Sequence, residues 1–178
     1  ELLCVANPEK ASFQQRLFKT GEGQYAEGDL FLGLVVPLTR SIAKANKNTP
    51  LSEIELLIQS KYHEARLCAL LILVEQFKKA NELQRGVLYD FYLNHIDYIN
   101  NWDLVDISCP YIVGNYLLDK DRSRLYELAE SKHLWSQRIA VVSTIAFIRK
   151  GEFLDTFALA GKLLNHEHDL MHKAIGWM

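Results

Sequence analysis

The stretch HEARLCALLILVEQFKKA, residues 63–80, decides the fold class of this chain. Its apolar centre and charged end predict a helix with a buried face, and strand signals are nearly absent elsewhere. The apolar run is shorter than the roughly 20 residues that a membrane-spanning helix needs. The stretch therefore predicts a helical core element rather than a membrane element.

Three later stretches repeat this pattern. They are NWDLVDISCPYIVGNYLLD, LWSQRIAVVSTIAFIRKG and HDLMHKAIGWM, which open near Asn101, Leu134 and His168, and the spacing from each opening to the next is 33–38 residues. A helix pair that recurs at such a period is typical of a helical solenoid. We therefore predict an all-α fold: a right-handed solenoid of HEAT-like antiparallel helix pairs, forming a single domain over residues 1–178. Stacked pairs of this kind produce a concave surface.

The region before residue 63 predicts three shorter helices. The first ends at Phe18 and is stopped by the glycines that follow. Pro37 opens the second, which runs to about Asn46, because proline is favoured in the first turn of a helix. Ser52 and Glu55 match a capping box at the start of the third.

Composition narrows the possible functions. The formal net charge is -2 and the isoelectric point is near 6.3, so nucleic-acid binding would need a local basic face. Cys4, Cys68 and Cys109 are odd in number and far apart, which predicts buried free thiols in a reducing cytosol. We expect no metal site and no cofactor. The start lacks the features of a signal peptide, and the chain stops inside an apolar helical pattern at Met178, so we expect further helices beyond it.

Charged residues and tryptophans recur at equivalent places in the long helices. Aligning these helices puts Arg66, Asp106, Arg138 and Lys173 at roughly one repeat position, which predicts a basic row with one carboxylate set into it. Each of the three tryptophans shares a helix face with a charge, in the pairs Trp102 with Asp106, Trp135 with Arg138, and Trp177 with Lys173. A basic row can follow a phosphate backbone. A single acid in that row is either an ordinary ion-pair partner or a residue with a chemical task.

The blocks INNWDLVDISCPYIVGNYLLD, LYELAESKHLWSQRIAVVSTIAFIRKG and HDLMHKAIGWM, together with YAEGDLFLG, resemble the bacterial DNA alkylation repair family, the AlkD-type glycosylases. The resemblance spans nearly the whole chain in the right order, and its WDxVD, LWxxR and KAIGW motifs are specific as a set. It implies a HEAT-like solenoid that holds double-stranded DNA with alkylated bases in its concave face. Family members continue into further basic helices beyond KAIGW, so the resemblance likewise implies further helices after Met178.

The resemblance also implies site residues. The catalytic aspartate falls on Asp106, and the two active-site tryptophans fall on Trp102 and Trp177. The phosphate-contacting arginine falls on Arg138, and a tyrosine that lines the site falls on Tyr25. The implied activity is a monofunctional glycosylase of base excision repair, which removes cationic N3- or N7-alkylated purines. We expect a monomer, cytoplasmic and associated with the bacterial nucleoid.

The chemistry of the residues fits this activity. An alkylated purine that carries a positive charge is already a good leaving group, so the remaining barrier is the oxocarbenium charge that develops on the sugar. A carboxylate at Asp106 can stabilise that charge and position the attacking water. Trp102 and Trp177 can attract the cationic base through their rings. No lysine lies at helical spacing from Asp106, so a Schiff-base lyase step is not indicated.

Several assignments stay open at the level of sequence. Trp135 is either a site residue or packing, and Arg66 is either a phosphate contact or a salt-bridge partner of nearby glutamates, with Lys173 in a similar position. His168 and His172 are four residues apart but lack the other ligands of a metal site. Two other functions compete: a non-catalytic DNA-binding HEAT-like protein, and a protein–protein scaffold, the commonest use of helical repeats.

Overall fold

A computed structural model describes residues 1–178, and it is helical throughout. The α-helices are α1 (Pro8–Leu17), α2 (Val36–Ala45), α3 (Leu51–Ile58), α4 (His63–Lys79), α5 (Glu82–Asn94), α6 (Trp102–Cys109), α7 (Ser123–Glu130), α8 (Leu134–Val142), α9 (Ile145–Ile148), α10 (Leu154–Leu163) and α11 (Asp169–Trp177). Short 3-10 helices span Leu2–Val5 and Ile96–Tyr98, and a π-helix spans Pro110–Gly114. A single isolated parallel bridge, Leu30 with Tyr62, is the only strand-like pairing. The predicted all-α class is confirmed.

The contacts divide the chain into two compact units. Unit 1 comprises Glu1–Lys79 with Asp97–Leu104, and unit 2 comprises Ala80–Ile96 with Val105–Met178. In unit 1, α2 and α3 pack against α4, whose interior from Leu67 to Val74 is buried on all sides. A helix that is apolar all round is stable only inside a core, so α4 is the centre of this unit.

Unit 2 is built on the later repeats. Helix α7 packs against α8, α8 against α11, and α10 against all three, while α5 and α9 contact the π-helix. Buried apolar side chains such as Leu125, Ile139, Phe147 and Leu159 form its core. The predicted single domain and right-handed solenoid with a concave face stay predictions, since they concern the arrangement of the whole chain.

The predicted helix starts at residue 63, near residue 101, at residue 134 and near residue 168 are confirmed within one residue. Two of the long helices are interrupted, however. Pro110 has no N–H to donate to the carbonyl of Asp106, and a proline ring clashes with the carbonyl four residues earlier. Helix α6 therefore ends at Cys109 and the chain continues as a π-helix, a form that is often found at functional sites.

The predicted capping box at Ser52 is wrong. Pro50 occupies the N-cap of α3, and no side chain bonds to the first backbone N–H groups there. A capping box does occur at α5, where the Asn81 side chain accepts from the Gln84 backbone N–H and the Gln84 side chain accepts from the Asn81 N–H. The predicted N-cap thus lies two residues after the observed one, because Pro50 already supplies the extended backbone that an N-cap requires.

Gly114, at the end of the π-helix, lies against the start of the break between α8 and α9. A Cβ at this position would come within 2.2 Å of the Ser143 carbonyl oxygen and 2.9 Å of the Ala146 Cβ. The Ser143 contact is with backbone, which cannot turn aside as a flexible side chain can. The absence of a side chain at Gly114 therefore allows the segment after α6 to approach α8 and α9.

We expect Gly114→Ala to lower the free energy of unfolding by about 2–3 kcal/mol, because the added methyl group overpacks a buried backbone contact. Urea unfolding followed by circular dichroism would measure the change. Gly161→Ala is the matched control, since nothing lies within 4 Å of a Cβ there and residue 161 is inside α10. If Gly114→Ala showed no loss of stability, even with a gain in Gly161→Ala, the result would contradict this account of the packing.

The cysteine prediction is confirmed in part. Cys68 and Cys109 are buried free thiols, but Cys4 is exposed, because the Leu2–Val5 helix contributes no buried residue. Burial raises the pKa of the Cys68 thiol to about 11, so this group is protonated at neutral pH. No helix of the chain is both long and apolar enough to cross a membrane.

Candidate functional site

Asp106 and Arg138 form a bidentate ion pair in unit 2. The Nε of Arg138 donates to Oδ1 of Asp106 at 2.8 Å, and its Nη2 donates to Oδ2 at 2.7 Å. The Arg138 side chain is 5% exposed, whereas that of Asp106 is 18% exposed. Two parallel bonds of this kind fix the direction of both carboxylate oxygens. The acid of the predicted row is thus aligned by a buried cation and remains partly open to solvent.

The same guanidinium also reaches α11. Nη1 of Arg138 donates to the backbone carbonyl of Leu170 in the first turn of that helix, which packs against α8. Trp177 lies at the last residue of α11 and is 57% exposed. Arg138 therefore joins Asp106 to the first turn of α11 through its donors, and its contact with a phosphate stays a prediction.

Trp102 opens α6, the helix that carries Asp106 one turn later. Its indole is half-buried, and in unit 1 it stacks on Phe18 with 5.6 Å between ring centroids and 11° between ring planes. The backbone N–H of Trp102 donates to the Asn101 side chain. One face of the indole therefore has a fixed aromatic neighbour.

Arg66 forms a buried ion pair in unit 1. Its side chain is 4% exposed, and its Nη2 donates to Oδ2 of Asp29 while its Nη1 donates to the Ser60 carbonyl. The structure thus favours the salt-bridge alternative over the phosphate contact. The partner is Asp29 and not a nearby glutamate, because the isolated bridge at Leu30 brings this distant acid beside α4.

The remaining predicted contacts differ in exposure. Lys173 is exposed on α11 and pairs with Asp169 one turn earlier, at 2.6 Å. Trp135 is 4% exposed, which favours its packing alternative. Tyr25 is half-buried in unit 1. The three cations of the predicted row, Arg66, Arg138 and Lys173, each pair with an acid in the structure, so each of these charges is largely neutralised by a neighbouring carboxylate.

His63 and Asp103 are not among the site residues that the sequence predicts. His63 is 2% exposed, and its Nε2 lies 2.8 Å from Oδ2 of Asp103, the residue after Trp102. Its Nδ1 lies 3.9 Å from Oδ2 of Asp29. Burial by itself lowers the pKa of His63, but the interactions with Asp103 and Asp29 outweigh burial and raise the pKa from 6.5 to about 9. His63 is therefore a buried imidazolium at neutral pH.

Glu64, the next residue, is also buried and is likewise not among the predicted site residues. Its carboxylate accepts from three successive backbone N–H groups, those of Leu32, Gly33 and Leu34, at 2.8–3.1 Å. Gly33 has a φ of +82°, and a Cβ there would come within 2.0 Å of a backbone oxygen, so the segment needs glycine. The sequence signal that could have indicated this role is a charged residue at the start of the apolar run of α4, because a charge at the edge of a core needs partners.

The histidines of α11 do not form a metal site with their neighbours, and no group of histidine, cysteine, aspartate and glutamate side chains in the chain could hold a metal ion. The His168 side chain accepts from the Leu170 backbone N–H as the N-cap of α11. The backbone N–H of His168 in turn donates to Nδ1 of His166. These are the polar contacts of a helix start.

The family assignment follows from the whole chain and not from the site alone. The model of the family described as "DNA alkylation repair enzyme" matches residues 1–178. The chain belongs to the DNA alkylation repair enzyme family. The resemblance drawn from the WDxVD, LWxxR and KAIGW motifs is thereby confirmed at the level of the family, and with it a role in DNA alkylation repair.

The fold is shared with solved structures, and one of them illustrates the likeness. It is described as a predicted DNA alkylation repair enzyme from Enterococcus faecalis, and it matches with a TM-score of 0.69 over 97% of this chain and 80% of that chain. The sequence identity is 18%, so the likeness concerns the fold of the family. No curated protein matches the chain significantly.

Proposed function

We propose that this member of the DNA alkylation repair family is a monofunctional DNA glycosylase. Its substrates would be N3- and N7-alkylated purines in duplex DNA, and its products a free base and an abasic site. The observation that carries the proposal is the Asp106 carboxylate, which Arg138 aligns through two hydrogen bonds while leaving it 18% exposed.

The chemistry requires little more than a placed negative charge. As the bond between C1′ and the base nitrogen breaks, its electrons pass to the cationic base, which leaves neutral. Positive charge then develops on C1′ and the ring oxygen of the sugar. Asp106 would stabilise this charge and orient a water toward C1′, and the proton of that water would pass to the carboxylate or to solvent.

The two tryptophans would recognise the lesion. Trp102 lies one helical turn before Asp106 and has one face covered by Phe18, whereas Trp177 is largely exposed at the end of α11. Attraction between a cation and an indole ring contributes about 0.5–2 kcal/mol per contact. Such contacts would favour a charged alkylpurine over a neutral base.

The test is release of free base from duplex DNA that carries N7-methylguanine, with the unmodified duplex as the control substrate. The proposal predicts release from the methylated duplex alone, together with abasic sites in equal number. Binding to DNA without release would support the non-catalytic DNA-binding function instead. Absence of both would support the scaffold function, since the neutralised row gives little attraction for phosphate.

A further inference from the structure

Unit 1 contains a buried charge cluster that the proposed mechanism does not use. It consists of His63 and Arg66 on α4, with Asp29 and Asp103 as their acids, and Asn100 donates to Oδ1 of Asp29 at 3.1 Å. His63, Arg66 and Asp29 are each buried. Burying two cations and one anion costs several kcal/mol per ion before their pairing is counted, so apolar residues would form a purely structural core at lower cost.

This cluster is joined to Trp102 by two separate routes. The first runs through the backbone, because Asp103 follows Trp102 directly, binds Nε2 of His63 with Oδ2, and accepts the Leu104 N–H with Oδ1. The second runs through rings: His63 lies 5.1 Å from Phe18, centroid to centroid, and Phe18 stacks on Trp102. Contacts therefore form a closed circuit from His63 through Asp103, Trp102 and Phe18 back to His63.

We propose that His63 is a positioning residue for Trp102: its ring, bonded to Asp103 and packed against Phe18 and Phe31, fixes the orientation of the indole at the start of α6. The proposal rests on the glycosylase function for its catalytic meaning, but the coupling between the two side chains can be measured without DNA. Phe31 completes the packing, with 4.6 Å between its centroid and that of His63 and 17° between the ring planes.

The protonation state makes the coupling testable. The groups that face His63 are Asp103 from α6, Asp29 from the segment before α2, and Arg66 from its own helix, whose charge opposes protonation. Since the pKa of His63 in the folded protein is raised to about 9, the imidazolium that attracts Asp103 is present almost completely at neutral pH. It is lost as the pH rises through about 9, and the hold on Trp102 should weaken over that range.

The first experiment follows two NMR signals of the protein without DNA between pH 6 and 10. The ring nitrogens of His63, assigned by their loss in His63→Gln, should report an imidazolium that titrates near pH 9. The indole N–H of Trp102, assigned by its loss in Trp102→Phe, should shift with the same midpoint. Asp103→Asn removes the charge but keeps His63, and it should lower both midpoints by at least about one pH unit. His95→Gln is the matched control, a nearly buried histidine in unit 2.

The second experiment measures release of N7-methylguanine in single turnover, normalised to folded protein. We expect His63→Gln to slow release about tenfold while DNA affinity stays within about twofold, since small misplacements of a site residue affect rate more than binding. His95→Gln should leave the normalised rate unchanged. A residue with only a structural role would change the folded fraction but not the normalised rate.

The two experiments separate the two claims. A Trp102 signal that does not follow the His63 titration, and that is unchanged in His63→Gln, would overturn the positioning role whatever the activity. If the unmodified protein releases no base, the glycosylase function fails, and the shared NMR midpoint still decides whether His63 fixes Trp102. If His63→Gln does not fold, the titration of the unmodified protein and of Asp103→Asn gives the same decision.

Discussion

Replacing Asp106 with asparagine is expected to reduce base release from methylated duplex DNA by about 10²–10³-fold, the usual cost of losing one preorganised electrostatic group. Asparagine keeps the shape of the side chain but removes the negative charge that would stabilise the oxocarbenium ion. It also presents an NH₂ group toward Arg138, which then loses one of its two acceptors. Single-turnover release of N7-methylguanine would measure the effect, and DNA affinity should change little.

Two comparisons make the Asp106 result specific. Asp121→Asn is the matched control, because Asp121 is an exposed acid of the same unit whose carboxylate accepts from the Ser123 backbone N–H; it should retain full release. Thermal unfolding of Asp106→Asn should show a loss of about 1–3 kcal/mol from the poorly satisfied Arg138. Full base release by a folded Asp106→Asn protein would refute the proposed mechanism.

Replacing Arg138 with lysine is expected to reduce base release about 10²-fold while leaving the charge of the protein unchanged. A lysine cannot donate two parallel bonds to a carboxylate, so the Asp106 oxygens lose their fixed direction. It also cannot keep the additional bond to the Leu170 carbonyl. Misplacement of a reacting group by about 1 Å is enough to cost two orders of magnitude in rate.

The salt dependence of DNA binding distinguishes the two roles of Arg138. If it holds Asp106, as its burial indicates, Arg138→Gln should leave the slope of log affinity against log salt unchanged. If it contacts a phosphate, as the resemblance implied, the slope should fall by about one. For the rate loss expected of Arg138→Lys, the matched control is Arg122→Lys, since Arg122 also pairs with two acids, Glu152 and Asp155, in the same unit. Arg122→Lys should alter stability without altering the rate per folded protein.

The sequence predicted the helical class, the four main helix starts and the family. The helical class and the helix starts follow from local periodicity, because residues three or four apart lie on one helix face. The family follows from the motifs at the helix starts. The sequence alignment placed Asp106 and Arg138 at one repeat position, so their ion pair could have been predicted, but the direct contact was not. Equivalent positions in neighbouring repeats touch only when the helices are close and their side chains point toward each other.

The buried network around His63 could not be predicted in the same way. Asp29, His63 and Asp103 are separated by tens of residues, and their charges resemble those of exposed helix starts in any one stretch. Only the fold brings them together, through the Leu30 bridge and the packing beside α4. The alignment of the long helices placed Arg66 in an exposed basic row, whereas in the structure its side chain is buried and paired with Asp29.

The three hydrogen bonds of Glu64 have a mechanical consequence. They tie the segment from Leu32 to Leu34, which has no regular secondary structure, to the first turn of α4. The backbone bonds between Leu30 and the 61–63 region tie the preceding residues to the same place. We therefore expect residues 30–34 to move together with α4. A shift of that helix would then displace Asp29 and Phe31 with it and preserve the surroundings of His63.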